Sequence, residues 1–185
     1  MSAQWLTDTA RALVAGGRGL LAMDESNPTC NARFAPLWIP QDVLRALFGQ
    51  LYTQRLSLEG LLVKPNMVLS GSACPRQESV DEVANATVAC LLRAVPAPVP
   101  GIAFLSGGQP GELASARLNA MNARFRSRLP WALAFSFARA IQQPALEIWR
   151  GEQAHVSAAQ RALCHRARCN SAARRGEYGS AMEGA

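Results

Sequence analysis

Two hydrophobic rhythms alternate along the chain. Residues 3–15 (AQWLTDTARALVA) place Leu6, Ala10, Leu13 and Val14 on one face at helical spacing, and the GGRG at 16–19 ends that helix. GLLAMDES, 19–26, is an unbroken apolar run closing on two acids and a serine, which predicts a buried strand over 19–24. A helix-like piece from 29 to 34 stops at APLWIP, 35–40, where two prolines flank Leu-Trp-Ile and make a junction. Helical period returns over 41–57, with Val43, Leu44, Leu47 and Leu51 on its apolar stripe, followed by a strand at 58–65. A loop leads to a well-marked helix at 79–95, with Ser79 as cap and Asp81 and Glu82 suited to its first turn. Strands at 101–106 and 132–137 enclose a helix at 111–124, helices continue to about 175, and the Gly/Ser/Ala tail, 176–185, is expected to fray.

Apolar strands alternating with amphipathic helices imply parallel pairing and an α/β fold. Each strand carries its polar residues at the carboxyl end, where α/β folds collect their ligands. Asp24, Lys64, Ser106, Gly107, Gly108, Ser136 and Arg139 should therefore converge on one rim. SGGQ running into a helix start offers backbone N–H groups to a phosphate, although such a sequence also makes a plain tight turn. The earlier GGRG is no phosphate loop, because it precedes a strand instead of following one.

At 185 residues, 49% hydrophobic and 17% charged, the chain is globular and long enough for one domain with a real core. No apolar run is long enough to span a bilayer, so no membrane partner is expected. Cysteines 30, 74, 90, 164 and 169 form no CxxC pair, which suggests reduced thiols and a cytoplasmic protein. Cys164, His165 and Cys169 lack a fourth ligand, so no metal is assigned. Much of the net charge of +6 comes from Arg161, Arg166, Arg168, Arg174 and Arg175. With no aromatic residues interleaved, these read as a solvated helical face, not a nucleic-acid site.

Lys64 is the single lysine among 19 Lys+Arg positions. It sits behind Leu61, Leu62 and Val63, in a run that reads as buried, and burial favours a neutral amine able to form a Schiff base with a carbonyl. The alternative is a lysine at a strand end that reaches solvent before Pro65. His155 and His165 both lie in the C-terminal helices, so Ser-His and Cys-His schemes are poor candidates.

LLAMDES, LEGLLVKPNMV, VPGIAFLSGGQ, LNAMN, PWALAFSFARAIQQPAL and AARRGEY together resemble class I fructose-1,6-bisphosphate aldolases of the bacterial and plant-like kind, over roughly 3–34 and 45–185. The resemblance implies a (β/α)8 TIM barrel, here partial, retaining the equivalents of strands 1, 6, 7 and 8 with terminal helices in a single incomplete domain. It implies that Lys64 is the Schiff-base lysine, with Asp24 beside it and Ser26 next to that. It further implies a catalytic role for Asp24 and substrate- or phosphate-binding roles for Ser26, Arg33, Ser106, Gly107, Gly108, Ser136 and Arg139. No cofactor is expected, and the implied partner is a phosphorylated sugar.

The departures from the family pattern are specific. The family's central strands carry its acid/base glutamate, a second lysine and a further arginine, and APLWIP stands where they would be. Phe137-Ala138 replaces Tyr-Gly, and Asn27-Pro28 replaces Thr-Gly. The resemblance therefore implies aldolase chemistry at low or lost activity, the alternative being a non-catalytic sugar-phosphate binder. A half barrel should also leave an apolar inner face uncovered and favour homo-oligomers.

Overall fold

The computed structural model describes residues 3–15, 20–21, 39–71 and 73–184. Within them run α1 (Ala3–Leu13), β1 (Leu20–Leu21), α2 (Ile39–Thr53), β2 (Leu62–Val63), α3 (Val80–Ala94), β3 (Gly101–Phe104), α4 (Gly111–Phe125), β4 (Ala132–Phe137), α5 (Arg139–Trp149) and α6 (Val156–Arg175). All strand pairings are parallel and the sheet order is β1-β4-β3-β2. The first strand in sequence thus lies beside the last, and each of β2 to β4 is followed by a helix.

Several boundaries differ from the sequence reading. A 3-10 turn occupies Leu58–Gly60, so β2 is only Leu62–Val63. The helix expected from 41 begins at Ile39, because Pro40 in a first helical turn loses no hydrogen bond it could have made. The start of α3 is as read: Ser79 Oγ accepts from the Glu82 N–H, and the Glu82 carboxylate accepts from the Ser79 N–H. That reciprocal box satisfies two amides the helix leaves open.

The sheet has a large-residue face and a small-residue face. The register sets Ile102 against Leu133 and Phe104 against Phe135, with Val63 beside Ile102. These side chains join Phe137, Val83, Leu91, Leu118 and Met121 in one buried core. Burying each such side chain contributes about 1.5–3 kcal/mol, so this face carries most of the stabilisation. Gly101, Ala103, Ala132, Ala134 and Ser136 alternate onto the other face.

The small-residue face was expected to be bare, and along β3 it is not. Gly101 and Ala103 are buried, as are Ala134 and Ser136 on β4. At the amino end the cause is visible: a Cβ on Gly101 would lie 2.8 Å from Val14 Cγ2, so the segment after α1 packs directly on the strand. Arg174 Nη2 donates to the Val14 carbonyl at 2.7 Å and fixes that segment to α6.

The C-terminal arginines and the tail also depart from expectation. Arg166 and Arg174 are buried, while Arg161, Arg168 and Arg175 fit a solvated face. Residues 176–184 fold back instead of fraying. Gly176 takes φ +79 beyond α6, Tyr178 N–H donates to Asn119 Oδ1 at 2.9 Å, and Ser180–Gly184 forms a 3-10 helix. Glu183 then pairs with Arg166, a buried cation that needs an anion.

Candidate active site

Lys64 directly follows β2. The ladder pairs Leu62 with Gly101 and Val63 with Ile102, and the Leu105 N–H donates to the Pro65 carbonyl at 3.0 Å. Lys64 is therefore gripped between paired residues on both sides. Strand alternation puts it on the small-residue face with Leu62, opposite Val63, which enters the core. Lys64 is exposed, which corrects the reading of a lysine desolvated inside a buried strand. The apolar run behind it fills the packed face, and the lysine falls on the other one.

Ser106–Gln109 forms the turn after β3. The Gln109 N–H donates to the Ser106 carbonyl at 3.0 Å, and the central Gly107 and Gly108 take φ +60 and +82. Positive φ at both positions is what makes glycine necessary here. Gly107 has a second reason, because a Cβ there would lie 2.3 Å from Asn66 Oδ1. Asn66 follows Lys64 by two residues and accepts from the Met67 N–H at 3.0 Å, so the lysine segment and the glycine turn touch. Gly108 is exposed and has nothing within 4 Å of a would-be Cβ, leaving its side of the turn open to a ligand.

A buried polar network, which sequence reasoning missed, fastens this turn. Gln109 Oε1 accepts from Arg117 Nη1 at 2.9 Å, and Gln109 Nε2 lies 3.7 Å from Met67 Sδ. Arg117 Nη2 donates to the Glu78 carbonyl at 3.1 Å. Burial lowers the pKa of the Arg117 guanidinium, opposed by the charge of Glu78. On the other side Ser70 Oγ and the Ser70 N–H donate to the Glu78 carboxylate. That bonding, the Ser70 hydroxyl first, holds the Glu78 carboxyl below the usual glutamate range. Val68 N–H donates to the buried Thr87 Oγ1 at 2.9 Å, so the segment after Lys64 is anchored at both ends. A glutamine at the helix side of a glycine turn, with an arginine two helical turns later, was the available signal.

Ser136 is buried on β4 and paired with Leu20 of β1. Arg139 opens α5 and is exposed. No acidic residue stands in the first turn of α5, so a cation occupies the positive end of the helix dipole. That placement costs about 0.3–1 kcal/mol of helix stability. Ala138, where the resembled pattern has glycine, sits at φ −100, so its Cβ meets no left-handed strain.

The parallel sheet thus brings Lys64, Ser106, Gly107, Gly108, Ser136 and Arg139 to the carboxyl ends of three adjacent strands. Asp24, Ser26 and Arg33 lie outside the described residues. The arrangement offers an amine nucleophile, open backbone amides in a glycine turn and a guanidinium, which suits a phosphorylated carbonyl compound.

The chain is similar to known proteins of one family. The family model described as "Fructose-bisphosphate aldolase class-I" matches residues 37–185. Fructose-bisphosphate aldolase B of Gallus gallus is 50% identical over 143 residues, 76% of this chain and 38% of the relative. A probable fructose-bisphosphate aldolase class 1 of Xanthomonas axonopodis is 45% identical over 141 residues, 76% of this chain and 42% of the relative. A solved fructose-bisphosphate aldolase of Plasmodium falciparum, crystallised with TRAP and a small-molecule inhibitor, superposes with a TM-score of 0.73 at 34% identity. That superposition covers 97% of this chain and 53% of the other. The chain spans about two-fifths of the length of the curated relatives it matches.

Proposed function

The chain belongs to the class-I fructose-bisphosphate aldolase family, and on that premise we propose that it is a Schiff-base lyase in which Lys64 attacks the ketone of fructose 1,6-bisphosphate. Attack by the Lys64 amine gives a carbinolamine, and loss of water leaves an iminium. The C3–C4 bond then breaks with its electron pair drawn into the iminium, forming an enamine, while the C4 hydroxyl gives up its proton and leaves as glyceraldehyde 3-phosphate. Protonation of the enamine and hydrolysis free dihydroxyacetone phosphate and restore Lys64. The Ser106–Gly108 turn and Arg139 grip phosphate, with Ser136 beneath them. Asp24 handles protons at the reacting centre, and Ser26 and Arg33 bind substrate phosphate.

The observation that carries this reading is the cation at the start of α5, set against stability, on the same rim as Lys64 and the glycine turn. We read β1, β2, β3 and β4 as strands one, six, seven and eight of a barrel, joined across 35–40. The order β1-β4-β3-β2 supports this, since the eighth strand of a closed barrel neighbours the first. The acid/base glutamate of the family has no counterpart here, and losing such a group typically costs about 10²–10⁴-fold. Turnover is accordingly weak, and adduct formation outlasts cleavage.

Four cysteines among the described residues are free thiols, which supports a reducing, cytoplasmic setting. No helix among the described residues is long and apolar enough to cross a membrane. Val43, Leu47 and Tyr52 of α2 stay exposed, and copies of the chain self-associate through this apolar surface.

Borohydride reduction in the presence of dihydroxyacetone phosphate, followed by peptide mass spectrometry, tests the proposal. The expected result is a covalent adduct at Lys64, absent in Lys64→Met, with little fructose 1,6-bisphosphate cleavage. Folded protein that gives no adduct removes the Schiff-base role.

A further inference from the structure

His165 and Cys169 are four residues apart on one face of α6, and the returning tail adds a third donor to them. Glu183 Oε2 lies 3.3 Å from His165 Nε2, and Cys169 Sγ lies 3.6 Å from the same nitrogen. Imidazole nitrogen, thiol sulfur and carboxylate oxygen all fall within 4.8 Å of one another. We propose that His165, Cys169 and Glu183 bind one divalent cation of the zinc class and thereby clamp the C-terminal tail onto α6.

Bond lengths decide whether the geometry can serve. Zinc takes nitrogen and oxygen at about 2.0–2.2 Å and sulfur at about 2.3 Å, so neighbouring donors around a tetrahedral ion stand roughly 3.3–3.7 Å apart. The two short separations in the cluster already have that size, and only the sulfur-to-oxygen edge has to adjust. The donor set of one thiolate, one imidazole and one carboxylate selects zinc or cobalt over magnesium or calcium, which prefer oxygen throughout. Three protein ligands leave a fourth position, and His165 is 30% exposed in its side chain, so water and the ion have an approach.

The surroundings hold the donors in place. Tyr178 Oη donates to Glu183 Oε1 at 2.7 Å, leaving Oε2 turned toward His165 and Arg166. Arg166 Nη1 donates to that same Oε2, so in the absence of an ion the guanidinium occupies the carboxylate. Arg166 is separately anchored through Nη2 to Ser115 Oγ at 2.7 Å, and can keep that bond when Glu183 turns to a metal. Burial, and then the neighbouring Glu183, push the Cys169 thiol up. Binding therefore releases the Cys169 proton to solvent as the sulfur–metal bond forms, with no change of oxidation state.

The 185-residue chain, reduced and freed of metal with a chelator, should be titrated with cobalt(II) and then with zinc(II). The expected result is one cobalt per chain, with a thiolate-to-cobalt charge-transfer band and the visible bands of a tetrahedral site, both displaced by zinc. Glu183→Gln and His165→Asn should each weaken binding by at least about tenfold, the lower bound even for losing an outer partner of a ligand. Cys169→Ser should abolish the charge-transfer band, and zinc should raise the thermal midpoint of the wild type but not of Glu183→Gln. The proposal is overturned by a missing cobalt spectrum. It is equally overturned by a band that survives in Cys169→Ser, or by unchanged affinity in Glu183→Gln. Glu183 lies in the tail, so that last variant decides the matter even where the buried cysteine substitution impairs folding.

Discussion

Gly107 and Asn66 share one space: a Cβ on the glycine would stand 2.3 Å from the amide oxygen of the asparagine. Asn66 cannot step aside freely, since that oxygen also accepts the Met67 N–H. This contact sets the glycine turn against the segment carrying Lys64, so neither can shift alone. Gly107→Ala adds a left-handed non-glycine conformation to the clash and should cost about 1–3 kcal/mol. Gly108→Ala meets open space and should cost about 1 kcal/mol from its positive φ alone. Urea unfolding of both variants, and of Gly107→Ala combined with Asn66→Ala, checks this. Equal losses at the two glycines, or no recovery in the double variant, would show that Asn66 is not the obstacle.

Arg117 is expected to matter through the groups it holds. Its two hydrogen bonds to Gln109 and the Glu78 carbonyl are charge-assisted, worth about 1.5–3 kcal/mol each before desolvation is counted. Burying the guanidinium offsets part of that, and Arg117 Nε has no protein partner. Arg117→Met should therefore destabilise by about 1–3 kcal/mol and loosen the lysine-bearing segment. Hydrogen exchange should report faster opening at Met67 and Val68, with the amides of β4 unaffected. Uniform acceleration throughout the chain would point to a general packing role.

The Ser70–Glu78 pair gives a pH dependence of definite sign. Glu78 is held below its unfolded value, so the stability it contributes is fully present above about pH 4.3, the unfolded glutamate range. That contribution disappears as pH falls through the lower folded value. Ser70→Ala removes the largest cause of the shift, so wild type and variant should differ most near neutrality and converge on acidification. Denaturation curves between pH 7 and pH 3 test this, and a difference that widens toward acid would contradict it.

Much of the frame was legible because local and global signals agreed. The Ser79 cap, the glycine turn after β3 and the apolar runs of β3 and β4 each required only near neighbours, and each is present. The side of β2 on which Lys64 would emerge was harder, because an apolar run of three residues does not state its parity. Glu183 was harder still. It stands fourteen positions beyond Cys169, and only the reversal at Gly176 brings it to the helix beside His165. The Gly/Ser/Ala composition of the tail argued for fraying, and Tyr178 with Glu183, its two groups able to bond the buried polar surface, outweighed it.

Arg139 allows stability and function to be pulled apart. A cation in the first turn of α5 opposes the helix dipole, so Arg139→Gln should stabilise the fold by about 0.3–1 kcal/mol. If the guanidinium is there to hold phosphate, the same change removes a charge-assisted bond worth about 1.5–3 kcal/mol and weakens phosphate binding tenfold or more. Thermal unfolding and a titration with dihydroxyacetone phosphate, read by trapping at Lys64, measure the two effects on one sample. A rise in stability with a loss of binding is the signature of a residue kept for its ligand. A fall in stability with binding unchanged would make Arg139 part of the scaffold, and the phosphate grip would then rest on the Ser106–Gly108 amides alone.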